Sequence, residues 1–280
     1  TTSNKIGLHA PSLHQFNGIG CLCRLRHAHG AAPFTPRLLL RCLSMSALSL
    51  GLIAALFWGF HDICVRFLSQ KTPISACIFI VLLTGLTFHL GLMFVRDGFA
   101  PLPATAMLLS LGAGAFFVVA TFGLYYAFQR GPVRLVAPLI AGYPILSVGL
   151  ASVQGIAISP TQWAAVFAIV AGVAIVAVLS DTSRDAMPPK GPTILYAVIA
   201  AIGFAGTFAL GQHAAEVSGE MPTTLISRGL AVGLAVVTLL IFQLPFWPGA
   251  RALPLLMLMG VADGIALLCV LSAGALPDAQ

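Results

Sequence analysis

The chain has 280 residues, 59% of them hydrophobic and only 8% charged, and its mean hydropathy is +0.99. Soluble domains carry roughly 25% charged residues, so this composition excludes a water-exposed globule and makes lipid the fitting solvent. The net charge of +6 does not make a nucleic-acid binder: Lys5, Arg24, Arg26, Arg37 and Arg41 crowd into the leading segment, most other basic residues sit in short loops, and no basic patch is interleaved with aromatics.

Residues 1–44 contain no Asp or Glu and are rich in His, Arg, Ser and Pro. They resemble a transit peptide in composition but lack the apolar core and cleavage site of a secretory signal. Met45-Ser46-Ala47 has the form of a natural start, so the segment is expected to be a disordered upstream extension or a mis-assigned start, with a targeting or regulatory tail as the alternative. Cys21, Cys23, His27 and His29 could bind zinc by ligand type, but their spacing matches no known pattern, and no metal is expected. Cys64, Cys77 and Cys269 lie far apart within apolar runs and read as small buried hydrophobes.

From Met45 onward, apolar stretches of near twenty residues alternate with brief loops, and roughly 20 helical residues cross a ~30 Å hydrocarbon core. The pattern predicts eight spans: 47–68, 73–95, 103–128, 133–153, 161–180, 192–213, 222–246 and 252–272. The one sizeable polar linker, 181–191, separates five spans from three. Pro101 with Pro248, and Pro132 with Pro277, bracket the third span of each part at a nearly constant offset. Duplication of a five-helix unit is the hydropathy signature of inverted-repeat transporters. The expected organisation is a first repeat over 45–180 and a second, incomplete one over 192–280, so that eight of ten transmembrane helices are present and two more would follow. An odd number of spans per unit inverts the second relative to the first. The loops after spans one, three, five and seven hold Arg66, Lys71, Arg130, Arg134, Arg184, Lys190 and Arg251, against Arg96 and Arg228 elsewhere. The five basic residues of the leading segment offset that bias, which leaves orientation open.

Phe57-Trp58-Gly59 midway along span one, Leu124-Tyr125-Tyr126-Ala127 closing span three, and Ala137-Pro138 with Pro144 in span four resemble the EamA-type families of the drug/metabolite transporter superfamily. The resemblance covers Met45 to Gln280. It implies an all-α membrane protein of two inverted five-helix repeats, with cytoplasmic termini, a central cavity, and export or exchange of small metabolites or drugs. One departure stands out: the family often has a Gly-Glu pair after span four, whereas here Gly155 precedes Ile156 and Gln154 is the nearest polar side chain, so no coupling role of that carboxylate is carried over.

Ionisable residues inside apolar spans are the informative exceptions, since each costs about 2.5–3.5 kcal/mol at a helix centre. They are His61 and Asp62 in span one, His89 in span two, Arg228 in span seven and Asp263 in span eight. Asp62 or Asp263 is expected to pair with Arg228. Asp62 beside His61 could hold and pass a proton; the structural alternative is an i,i+4 ion pair of Asp62 with Arg66. Trp58, Tyr125, Tyr126 and Gln129 are candidates for the cavity wall, and the competing role for the tyrosines is anchoring at the membrane surface. Pro138 and Pro144 each remove a backbone donor and are candidate gating positions. Gly229-Leu-Ala-Val-Gly233 and Ala168-Ile-Val-Ala-Gly172 are small-xxx-small patterns suited to close helix packing.

The expected function is secondary active transport of a small solute by alternating access in a bacterial inner membrane. Its partners would be the lipid bilayer, the solute and protons, with room for a homodimer and no cofactor. No His-Glu-x-x-His, Gly-x-Ser-x-Gly or Gly-x4-Gly-Lys-Ser/Thr motif is present, which argues against an enzyme and against ATP-driven pumping. A non-transporting scaffold or sensor is the alternative function. Without two further helices, span eight is expected to lack partners for its polar face.

Overall fold

The computed structural model describes residues 46–95, 102–153, 155, 157–180, 190–274 and 276. The expectations placed on residues 1–44, on the 181–189 part of the linker and on Gln154 and Ile156 lie outside these. Among the described residues all regular structure is helical: α1 Ala47–Leu68, α2 Ile74–Val95, α3 Ala104–Arg130, α4 Val133–Ile140, α5 Tyr143–Val153, α6 Pro160–Ser180, α7 Lys190–Ser218, α8 Glu220–Ile241 and α9 Leu253–Gly274. Seven segments are long and apolar enough to cross a bilayer, α4 and α5 counting together as Leu135–Val153; within α6 the apolar stretch Pro160–Ile175 is shorter.

Local chemistry sets the helix ends. Ser46 caps α1 by accepting the Ser49 N–H on its hydroxyl at 3.2 Å. Gly219, at φ 82°, makes the one-residue joint between α7 and α8, a conformation open to glycine without steric cost. Span seven ends at Ile241, earlier than the apolar run suggests, because Pro245 and Pro248 cannot continue a helix and Gln243 turns to φ 51°. Span four is not one helix. Pro144 has no N–H for the Ile140 carbonyl, so the ladder stops: Ala141 N–H still reaches the Ala137 carbonyl, Gly142 N–H bonds one residue short at Leu139, and α5 restarts with Pro144 in its first turn.

The most extensive packing joins α3 to α7, followed by α1 to α9 and α3 to α8, with α2 against both α8 and α9. Span eight therefore has partners: α9 lies against α1 and α2, and its polar residue faces inward, contrary to the expectation of an uncovered face. Close approach is made by small residues. A Cβ on Gly203 of α7 would fall 2.8 Å from the Ala120 Cβ and 2.9 Å from its Cα; one on Gly123 of α3 would fall 2.8 Å from the Tyr196 carbonyl oxygen. A Cβ on Gly260 of α9 would lie 2.6 Å from the Val81 carbonyl oxygen on α2. The two small-xxx-small patterns do not serve this purpose: around Gly172, Gly229 and Gly233 a Cβ would meet nothing within 4 Å. A small residue permits close packing only when its helix face is the one turned to a neighbour, and spacing alone does not fix that rotation.

Candidate functional site

Mid-helix residues of α1, α3, α8 and α9 converge on one polar cluster. Arg228 has no exposed surface, and its Nη1 lies 2.5 Å from Asp263 Oδ2 while Nη2 donates to the Asp263 carbonyl at 3.3 Å. Trp58 Nε1–H donates to the other carboxylate oxygen of Asp263 at 3.0 Å. The guanidinium carbon stands 4.7 Å from the centroid of the Phe117 ring, and Gly85 makes room for the head group, since a Cβ there would come within 2.6 Å of Nη1. Of the two expected pairings, Arg228 takes the one with Asp263. Burial of two charges is tolerable here because each is met by the opposite charge and by further polar or π contacts.

A second string runs alongside. Asp62 Oδ1 lies 3.1 Å from His61 Nδ1, and His61 Nε2 lies 3.2 Å from the buried Tyr125 hydroxyl. An ionised carboxylate can only accept, so Nδ1 carries a proton; in the neutral ring Nε2 then accepts the Tyr125 O–H. Arg66 does not make the i,i+4 pair with Asp62: its Nη1 donates to the Phe128 carbonyl at 2.8 Å and ties α1 to the end of α3.

Both clusters open on a cavity of about 340 Å³, within the range of ligand pockets. Trp58, His61, Asp62, Tyr125 and Asp263 line it, whereas Arg228 lies behind Asp263 and not on the wall. The helix break contributes Ala137, Ile140, Ala141 and Tyr143; Pro138 and Pro144 flank that stretch without lining the cavity themselves. Tyr126 and Gln129 lie elsewhere: Tyr126 stacks between Phe122 and Tyr196, and Gln129 donates to the Ser69 carbonyl at 3.4 Å. His89 is buried on α2, its Nδ1 2.7 Å from the Gly85 carbonyl oxygen, and is not on the wall.

Sequence reasoning missed Phe117, Thr121, Tyr143, Phe204 and Phe208, which also line the cavity. Phe208 is the hub of the aromatic side, with ring centroids 5.5 Å from Trp58, 5.1 Å from Tyr143 and 6.1 Å from Phe204. The i,i+4 pair Phe204 and Phe208 was the one available signal, and in an apolar helix it does not stand out.

Among the described residues, no group of three or more His, Cys, Asp or Glu is arranged to hold a metal ion. No curated protein matches the chain. Residues 45–178 match the model of the EamA-like transporter family, and seven segments are long and apolar enough to cross a bilayer, so the cavity lies inside a multi-pass integral membrane protein whose first half is similar to that family.

Proposed function

We propose that the chain moves a small solute across the membrane by alternating access, as a secondary active exporter or exchanger built from two inverted helical units, residues 45–180 and 192–280. The observation that carries this reading is the cavity, which is walled by helices of both units and bears two carboxylates and an imidazole inside segments of membrane-crossing length. The packing fits an inverted repeat: α1 meets α9 as α3 meets α7, first helix of one unit against third of the other. Trp58 and Asp263 belong to different units, so their hydrogen bond holds one state of the rocking motion and must break to reach the next. The interruption between α4 and α5, framed by Pro138 and Pro144, is the flexible element on the cavity wall.

Movement can be tested without knowing the solute. In a background with the six native cysteines changed to alanine, Ala141→Cys is expected to react with a membrane-impermeant thiol reagent in both right-side-out and inside-out vesicles. Reaction from one side only would fit a static pocket, as in a scaffold or sensor, and would defeat the transport reading.

Asp62 and His61 are the proposed proton-coupling pair. In proteoliposomes under an imposed pH gradient, Asp62→Asn is expected to abolish gradient-driven flux of every solute the parent moves. Asp263→Asn is expected to impair flux as well, since it discharges the partner of Arg228. Parental rates and parental pH dependence in both variants would rule proton coupling through these groups out.

A further inference from the structure

The charge on the cavity wall points to a class of solute, granted that the cavity is where solute binds. Among the described residues its lining carries His61, Asp62 and Asp263, and no Lys or Arg. Asp263 is already neutralised by Arg228, and that guanidinium is fully enclosed behind it. Asp62 has no such partner: its polar contact among the described residues is His61 Nδ1, and Arg66, one turn along, is held by the Phe128 carbonyl. Asp62 is also partly open, its side chain 35% exposed, whereas Asp263 is at 9%. The rest of the wall mixes aliphatic and small residues with six aromatic ones, Trp58, Phe117, Tyr125, Tyr143, Phe204 and Phe208. Ring faces carry the negative end of the π quadrupole and attract cations. The two helix ends at the break, the carboxyl end of α4 and the amino end of α5, set opposite partial charges side by side and favour neither sign.

We infer that the cavity binds a monovalent organic cation, a protonated amine on a compact aromatic or branched apolar body, whose ammonium group pairs with Asp62 while the body lies against the rings around Phe208. An anionic metabolite would meet a carboxylate and ring faces and find, among the described residues, no Lys or Arg on the wall. A zwitterion would gain at its amine and lose at its carboxylate. A neutral solute would keep the apolar contacts and forgo the ion pair.

A series with one body and three charges separates these cases: 2-phenylethylammonium, 2-phenylethanol and 3-phenylpropanoate share a ring and a two-carbon arm. Measured by equilibrium dialysis on the full chain in detergent, the ammonium is expected to bind at least about tenfold more tightly than the alcohol, and the carboxylate more weakly than either. Asp62→Asn is expected to bring ammonium and alcohol to similar affinities with the alcohol still bound, and Asp62→Glu to keep the preference. Tightest binding of the carboxylate, an ammonium preference that survives Asp62→Asn, loss of the preference in Asp62→Glu, or no binding of any of the three would overturn the inference. Because the series reads binding and the thiol-access experiment reads movement, a sensor with a cation pocket and a transporter of some other solute give different results.

Discussion

Arg228→Ala is expected to cost about 3–5 kcal/mol of stability, seen as a fall of roughly 10 °C in the temperature at which purified protein loses its monodisperse form. The argument is electrostatic. Removing the guanidinium leaves Asp263 largely buried with Trp58 as its remaining side-chain donor, and a mostly buried carboxylate without its counter-charge is costly. Arg228→Lys is expected to fall between, since a single ammonium cannot engage both the carboxylate and the Asp263 carbonyl as the guanidinium does. The informative comparison is the double variant Arg228→Met with Asp263→Leu, which removes both charges and keeps most of the volume. It is expected to regain much of what Arg228→Ala loses, because well-packed apolar pairs often replace buried ion pairs without penalty. If Arg228→Ala melted with the parent, the pair would not be holding α8 to α9.

Gly203→Val is expected to destabilise by about 1–3 kcal/mol or to separate α3 from α7, whereas Gly229→Val is expected to change little. Both glycines lie inside membrane-crossing helices, and both substitutions add the same three carbons. They differ in what surrounds them. At Gly203 the first added carbon already meets the Ala120 main chain at 2.9 Å, and backbone cannot swing aside as a side-chain tip can; at Gly229 there is open space. Heating the two purified variants side by side reads the difference. Equal melting would mean that the α3–α7 contact is looser than its geometry implies.

The helices were legible in the sequence because crossing lipid demands length and apolarity, and every expected span is helical, the fourth as two helices and the seventh only to Ile241. Trp58, His61, Asp62, Arg228 and Asp263 were visible for the complementary reason, since polar groups in such segments are costly and stand out against Leu, Val and Ala. What the sequence withheld was rotation. Tyr126 follows Tyr125 by one residue, about 100° around α3, which sends one ring to Tyr196 and leaves the other facing His61. Gln129 is one turn beyond Tyr125 on the same side and has passed the cavity, reaching Ser69 where α1 ends. Phe204 and Phe208 gave little warning because phenylalanine is at home on any face of an apolar helix, lipid-facing or internal. Close packing followed the same logic: Gly229 and Gly233 had the expected spacing, while Gly123 and Gly203 had the expected facing.

The placement of Arg228 and Asp263 on consecutive helices, 35 residues apart, also sets a problem for biosynthesis. At about 5–20 residues per second, a ribosome takes roughly 2–7 s to reach the acid after completing the base. For that interval the α8 segment carries an unpaired cation, which costs about 2.5–3.5 kcal/mol at the centre of a membrane helix. Entry of α8 together with α9 as a hairpin would offset that cost by bringing Asp263 in with the base.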